Sequence, residues 1–156
     1  MKLSTSDQVA YPKLTEYLKN SFPKVKDVPK IVANLKTYGS LEKAESVTAT
    51  SWGTDPLIVV KDLSNFQCGV EKAYGCFVYQ NPNQIELDKG TAQKFETDPT
   101  GSGTDGNVYV VGATLLHELC HWGNHKNSVT EQTEQGLAFE RATSVSYTHL
   151  TLPTKA

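Results

Sequence analysis

Leu115-Leu116-His117-Glu118-Leu119-Cys120-His121 places two histidines four residues apart, with a glutamate directly after the first. Four residues is close to one α-helical turn. Both imidazoles therefore project from one helix face, about 6 Å apart along the axis, where a single Zn²⁺ can reach both. Glu118 is angled so that its carboxylate meets a water at the metal instead of the metal itself. The preceding run, Val108-Tyr109-Val110-Val111-Gly112-Ala113-Thr114, is apolar enough to bury such a helix in a core.

Chance could also put these three residues in this order. The chain has four histidines, so a coincidental match inside an apolar helical stretch is uncommon, and the metal-site reading is preferred. Structural zinc sites are usually closed by four Cys or His ligands. Oxygen-rich surroundings here point to an open position for water, hence to catalysis by Glu118.

The rest of the composition narrows the class. At 156 residues the chain fits one domain, large enough to bury roughly two-thirds of its unfolded surface. Hydrophobic residues make up 38% and charged residues 21%, an ordinary globular balance. A net charge of −2 without a basic stripe argues against nucleic acid as a partner. No apolar run approaches a membrane span. Met1-Lys2-Leu3-Ser4-Thr5-Ser6-Asp7 lacks the apolar core of a secretory signal, so export requires a larger chain or a route without one. We expect a monomer.

Three cysteines leave at least one unpaired within a monomer. Cys68 and Cys76 bracket a plausible hairpin loop and would pair in an oxidising compartment. Cys120 points off the His117/His121 face and reads as a small buried apolar residue.

The pattern along the chain predicts an α+β fold. The first third is helical: Ser4-x-x-Asp7 is a capping signal, Pro12 splits or delays that helix, and Pro29 opens another that Gly39 ends. The stretch 41–50 is ambiguous. Strands are expected at 57–62, 76–80 and 85–88, forming a three-stranded mixed or antiparallel sheet. Residues 98–106 read as a surface loop. The motif helix should run over 108–122 and stop at Gly123-Asn124. Ser128-x-x-Glu131 then reads as a capping box for a helix running to about Ser144, a role that ranks Glu131 low as a ligand. Residues 146–156 resemble translated adapter sequence. We assign residues 1–145 to one domain and set the tail, with His149, aside as non-native.

A catalytic zinc needs a third protein ligand. His125 lies roughly 12 Å from His117 along the helix, too far to share the ion. Metzincin spacing would require histidine at Asn127. Gly136 lets the following helix approach the motif helix closely, and Glu140 lies one turn along its face. We therefore expect Glu140 as the ligand, with Glu134 as the alternative. An extended substrate would pair with a strand at the lip of the cleft, expected at 85–88. Tyr109 and His125 are candidates to stabilise the oxyanion.

The motif, followed by Glu134-Gln135-Gly136-Leu137-Ala138-Phe139-Glu140, resembles the zincin-like metallopeptidase toxin domains of bacterial polymorphic toxin systems, with a gluzincin-like order of ligands. That resemblance implies a zincin-like fold with an active-site helix and a glutamate helix. It also implies an exported effector that cleaves protein or peptide substrates, with a cognate immunity protein as a further partner. SprT-like proteases also carry His-Glu-x-Cys-His, but place a histidine where this chain has Gln135. The reading from another class is a non-catalytic binding module whose zinc ties two helices together.

Overall fold

A two-residue strand, β1 (Lys2–Leu3), precedes the first helix, whose N-terminus is capped by the Ser4 hydroxyl accepting from the Asp7 N–H. Helix α1 (Thr5–Ala10) gives way at Tyr11 to α2 (Pro12–Asn20). Proline lacks an N–H and suits a first turn, so the split falls where Pro12 predicts it. The computed structural model describes residues 1–100 and 106–143. Within them follow a 3₁₀ turn (Phe22–Asp27), α3 (Pro29–Gly39), α4 (Lys43–Thr50), β2 (Leu57–Lys61), β3 (Gly75–Cys76), β4 (Gln84–Asp88), α5 (Lys89–Thr97), α6 (Asn107–Lys126) and α7 (Gln135–Thr143). The ambiguous stretch after Leu41 is thus α4. The tail expected from residue 146 lies outside the described residues, as does most of the loop expected over 98–106.

The fold is a mixed α+β one, but its sheet has four strands among the described residues, not three. Their order is β1-β2-β4-β3. β1, β2 and β4 run parallel, and β3 is antiparallel to β4. Strand β1 escapes sequence patterning because two residues carry no alternation. The strand expected over 76–80 is reduced to Gly75–Cys76. β4 alternates Ile85 and Leu87, fully buried in the main core, with Glu86 and Asp88 on its other face. Asp88 ends the strand and caps α5, accepting from the Thr91 N–H at 3.1 Å. This cap begins a helix that no sequence expectation foresaw.

β4 lies between β2 and β3, so both of its edges are already hydrogen-bonded. It cannot receive a substrate strand, which overturns the expectation for 85–88. The edge nearest the motif helix is β3.

Helix α6 is the axis of the molecule, about 30 Å long at 20 residues. It packs on α3, α5 and α7 and against the sheet. Leu115, Leu116 and Leu119 are fully buried. The helix does not stop at Gly123-Asn124. A Cβ on Gly123 would lie 2.2 Å from the Gly39 carbonyl oxygen, so this glycine lets the last turn of α6 touch the end of α3. The Asn124 amide, instead of bending its own backbone, donates to the Tyr38 carbonyl at 2.7 Å and so secures the end of α3. The stop comes four residues later. Ser128 takes a left-handed φ of 56°, its N–H donates to the His125 carbonyl, and the Val129 N–H donates to the Asn124 carbonyl. This pair of bonds is a Schellman closure. Ser128 therefore ends α6 and does not begin α7, which starts at Gln135. Among the described residues no helix is long and apolar enough to cross a membrane.

Candidate metal centre

His117 and His121 project from one face of α6 with ring centroids 5.2 Å apart. Donor atoms of His117, Glu118 and His121 lie within 4.8 Å of one another. The imidazoles are partly buried, with side-chain exposures of 21% and 16%, while Glu118 is buried. These groups line a cavity of about 510 Å³ together with Glu131, Glu134, Glu140 and the segment around Tyr74–Tyr79.

Three carboxylates from the chain after α6 meet the two rings, each in a different way. Glu134 Oε1 lies 3.2 Å from Nε2 of His117 and 2.6 Å from Nε2 of His121. It sits where the two inner nitrogens converge. Glu140 Oε1 instead lies 2.5 Å from Nδ1 of His117, on the outer side of that ring. Glu131 Oε2 lies 2.8 Å from Nδ1 of His121, and its Oε1 accepts from the Asn124 amide at 2.7 Å. The expected helix-capping role of Glu131 is not what it performs. Glu134 caps α7, its carboxylate accepting from the Leu137 N–H.

Gly136 makes this approach feasible. A Cβ there would stand 2.4 Å from His117 Nε2, so any side chain would fill the space beside that nitrogen. Phe139, fully buried, anchors α7 in the core. Phe77 lines the same cavity as Glu118.

Electrostatics follow from burial and crowding. Burial alone would lower the pKa of His117. The hydrogen bond that the ring donates to Glu140 and the fields of Glu118, Glu134 and Glu140 outweigh it and carry the value up to about 9. Glu118 is raised, chiefly by burial, against the opposing pull of the two imidazoles. Burial would raise Glu134 as well, but the Leu137 N–H and both imidazoles bring it below the usual carboxylate range. Ionised Glu134 facing two Nε2 atoms is a donor set of two nitrogens and an oxygen. In a tetrahedral zinc site with bonds near ~2.1 Å the ligand atoms stand roughly 3.4 Å apart, near the 3.2 Å His117–Glu134 separation, while the 2.6 Å to His121 is a hydrogen-bond distance that would open on metal binding. The residues fit a divalent metal.

Tyr109 lines the adjoining cavity beside Glu140, and His125 stacks against Phe77 and Tyr79. Cys120 is buried behind the motif, as expected, and Cys68 and Cys76 form a disulfide. Sequence reading weighed Glu131 and gave it the role of a helix cap, and its contact with His121 was not foreseen. Only a spacing of ten residues from His121 marks that contact.

Paired histidines flanking a glutamate on a buried helix, opening onto a cleft, are the mark of a metallopeptidase. A sequence profile of the family described as metallopeptidase toxin 3 matches residues 7–144, and the chain belongs to that family. The match spans nearly all of the described fold, well beyond the motif and glutamate helix that first carried the resemblance. No curated protein and no solved structure matches the chain.

Proposed function

We propose that the chain is a zinc-dependent endopeptidase in which His117, His121 and Glu134 hold the metal and Glu118 is the general base. The observation that carries this reading is the single Glu134 oxygen facing both Nε2 atoms. Glu140, the ligand expected from spacing, is reassigned. At Nδ1 of His117 it fixes the ring and its tautomer, leaving Nε2 free to ligate. Glu131 does the same for His121.

When bound, zinc would polarise the scissile carbonyl and bring the pKa of water toward ~7. Glu118, made more basic by burial, accepts the water's proton and passes it to the leaving amine. The free edge of β3 lies beside Glu118 and is the natural place for an extended peptide to add as a strand. Toxin-family membership agrees with a protein as substrate.

Glu118→Gln tests this reading. The variant is expected to retain one equivalent of zinc and lose nearly all hydrolysis of an unfolded protein such as casein. Undiminished cleavage would remove Glu118 as the base. A wild-type chain that binds zinc and cleaves nothing in a mixed peptide library would favour the structural-zinc module.

A further inference from the structure

Most surface aromatics and aliphatics are isolated and need no explanation. Here three of the exposed ones gather in one place. Val70, Tyr74 and Tyr79, 51%, 58% and 59% exposed, all line the cavity that contains His117 and Glu118. All three belong to the segment on and around the loop closed by Cys68–Cys76. Phe77 lies between them, with its ring centroid 5.5 Å from that of Tyr79, and both rings pack on His125, one turn beyond His121.

This wall is held in place on several sides. The disulfide closes its loop, the Tyr74 carbonyl accepts from the Asp88 N–H at 2.8 Å, and the Phe77 ring packs on Tyr79 and His125. Exposed rings fixed in position lose little freedom when they receive a ligand, which favours binding there.

Charge narrows the occupant. Glu118, Glu131, Glu134 and Glu140 all line the cavity, and no described lysine or arginine does. An acidic side chain would be repelled. The carboxylates cluster on the imidazoles, Glu131 with His121 and Asn124, Glu140 with His117 and Glu134 with both rings, and the wall itself carries no charge for a basic side chain to pair with. We propose that the Val70–Tyr74–Phe77–Tyr79 wall is the specificity subsite of the enzyme, seating a large apolar or aromatic side chain next to the cleaved bond. This rests on the peptidase reading above and adds the substrate class to it.

The test uses one peptide scaffold with Phe, Leu, Ala, Asp or Lys at each position flanking the bond. Two quantities are read: kcat/KM with the zinc-loaded wild type, and Kd with the zinc-loaded Glu118→Gln variant. Phe and Leu should exceed Asp and Lys roughly tenfold or more in both. Tyr74→Ala and Val70→Asp should each collapse that ratio toward unity with metal content unchanged. Both positions are exposed, so the fold tolerates the changes. Cleavage without side-chain preference, or a preference for Lys or Asp, overturns the subsite and leaves the peptidase reading intact. If nothing is cleaved while Glu118→Gln still ranks Phe above Asp in affinity, the apolar cleft stands and the peptidase reading falls.

Discussion

Glu140 meets His117 at Nδ1, 2.5 Å away, on the opposite side of the ring from the nitrogen that Glu134 approaches. One imidazole is thus gripped at both nitrogens by carboxylates six residues apart. The two contacts predict different losses. Removing an outer carboxylate typically costs about 10–100-fold in metal affinity, and Glu140→Ala should fall in that range. Glu134→Ala should lose more, because an inner donor disappears. Since Glu134 also caps α7, Glu134→Gln serves as control: its amide oxygen can still accept from the Leu137 N–H. Competition against a chromophoric chelator reads all three. A larger loss in Glu140→Ala than in either Glu134 variant would return the ligand role to Glu140.

Protons must leave His117 before it can bind a metal. In the metal-free chain its pKa is raised to about 9, so the ring carries a proton at neutral pH. The sign follows directly. The charged ring stabilises the metal-free fold fully below the unfolded value near 6.5, and that contribution is lost as pH rises through about 9. Zinc affinity should therefore climb with pH up to about 9, and binding at pH 7 should release a proton. Calorimetric titrations in buffers of different ionisation enthalpy measure that release. Heats independent of buffer at pH 7 would contradict it, and Glu140→Ala should reduce the release by removing the principal hydrogen-bonding partner.

The disulfide closes a loop over a sequence separation of eight residues, and that loop carries Val70 and Tyr74 of the apolar wall. Loop-closure entropy assigns such a link roughly 2–3 kcal/mol. Cys68→Ser with Cys76→Ser should lower the denaturant midpoint accordingly and raise KM for the apolar-flanked peptide more than it changes kcat. Reductant should do the same to wild type and nothing to the double variant. Cys120 cannot confuse the result: it is buried, and burial raises its thiol pKa well above the ordinary value. A reduced wild type with unchanged KM would detach the loop from substrate binding.

What was legible in the sequence was local. Spacing alone put His117, Glu118 and His121 on one helix, because four residues make a turn whatever the rest of the chain does. Pro12, Pro29 and Ser4 marked helix starts for equally local reasons. The errors arose where a residue answered to a distant partner. Gly123 and Asn124 have the composition of a helix stop, but Gly39 and Tyr38 turn them into a helix–helix contact. Ser128-x-x-Glu131 has the form of a capping box, yet Ser128 closes α6 and Glu131 turns back to His121. Helical periodicity brought Glu140 to His117. It could not tell which nitrogen of His117 the carboxylate would reach, since this depends on how α7 is docked.

Two glycines separate docking from stability. In an isolated helix, alanine is favoured over glycine by about 1 kcal/mol. At Gly123 the added Cβ would fall 2.2 Å from the Gly39 oxygen and 2.6 Å from Leu41 Cγ, against backbone that cannot retreat without parting α3 from α6. Overpacking of this kind costs about 1–3 kcal/mol or more, so the clash outweighs the propensity. Gly123→Ala should therefore lower Tm equally with and without zinc. At Gly136 the obstruction is the His117 ring, with its Nε2 2.4 Å from the new carbon. Here the side chain can swing aside, but only away from the position from which it would hold the metal. Gly136→Ala should lower the metal-free Tm only by what the displaced ring gives up with Glu134 and Glu140, and remove most of the Tm gained on adding zinc. If the two variants lost the zinc-induced increment alike, the α6–α7 contact would be general packing and not the support of the metal centre.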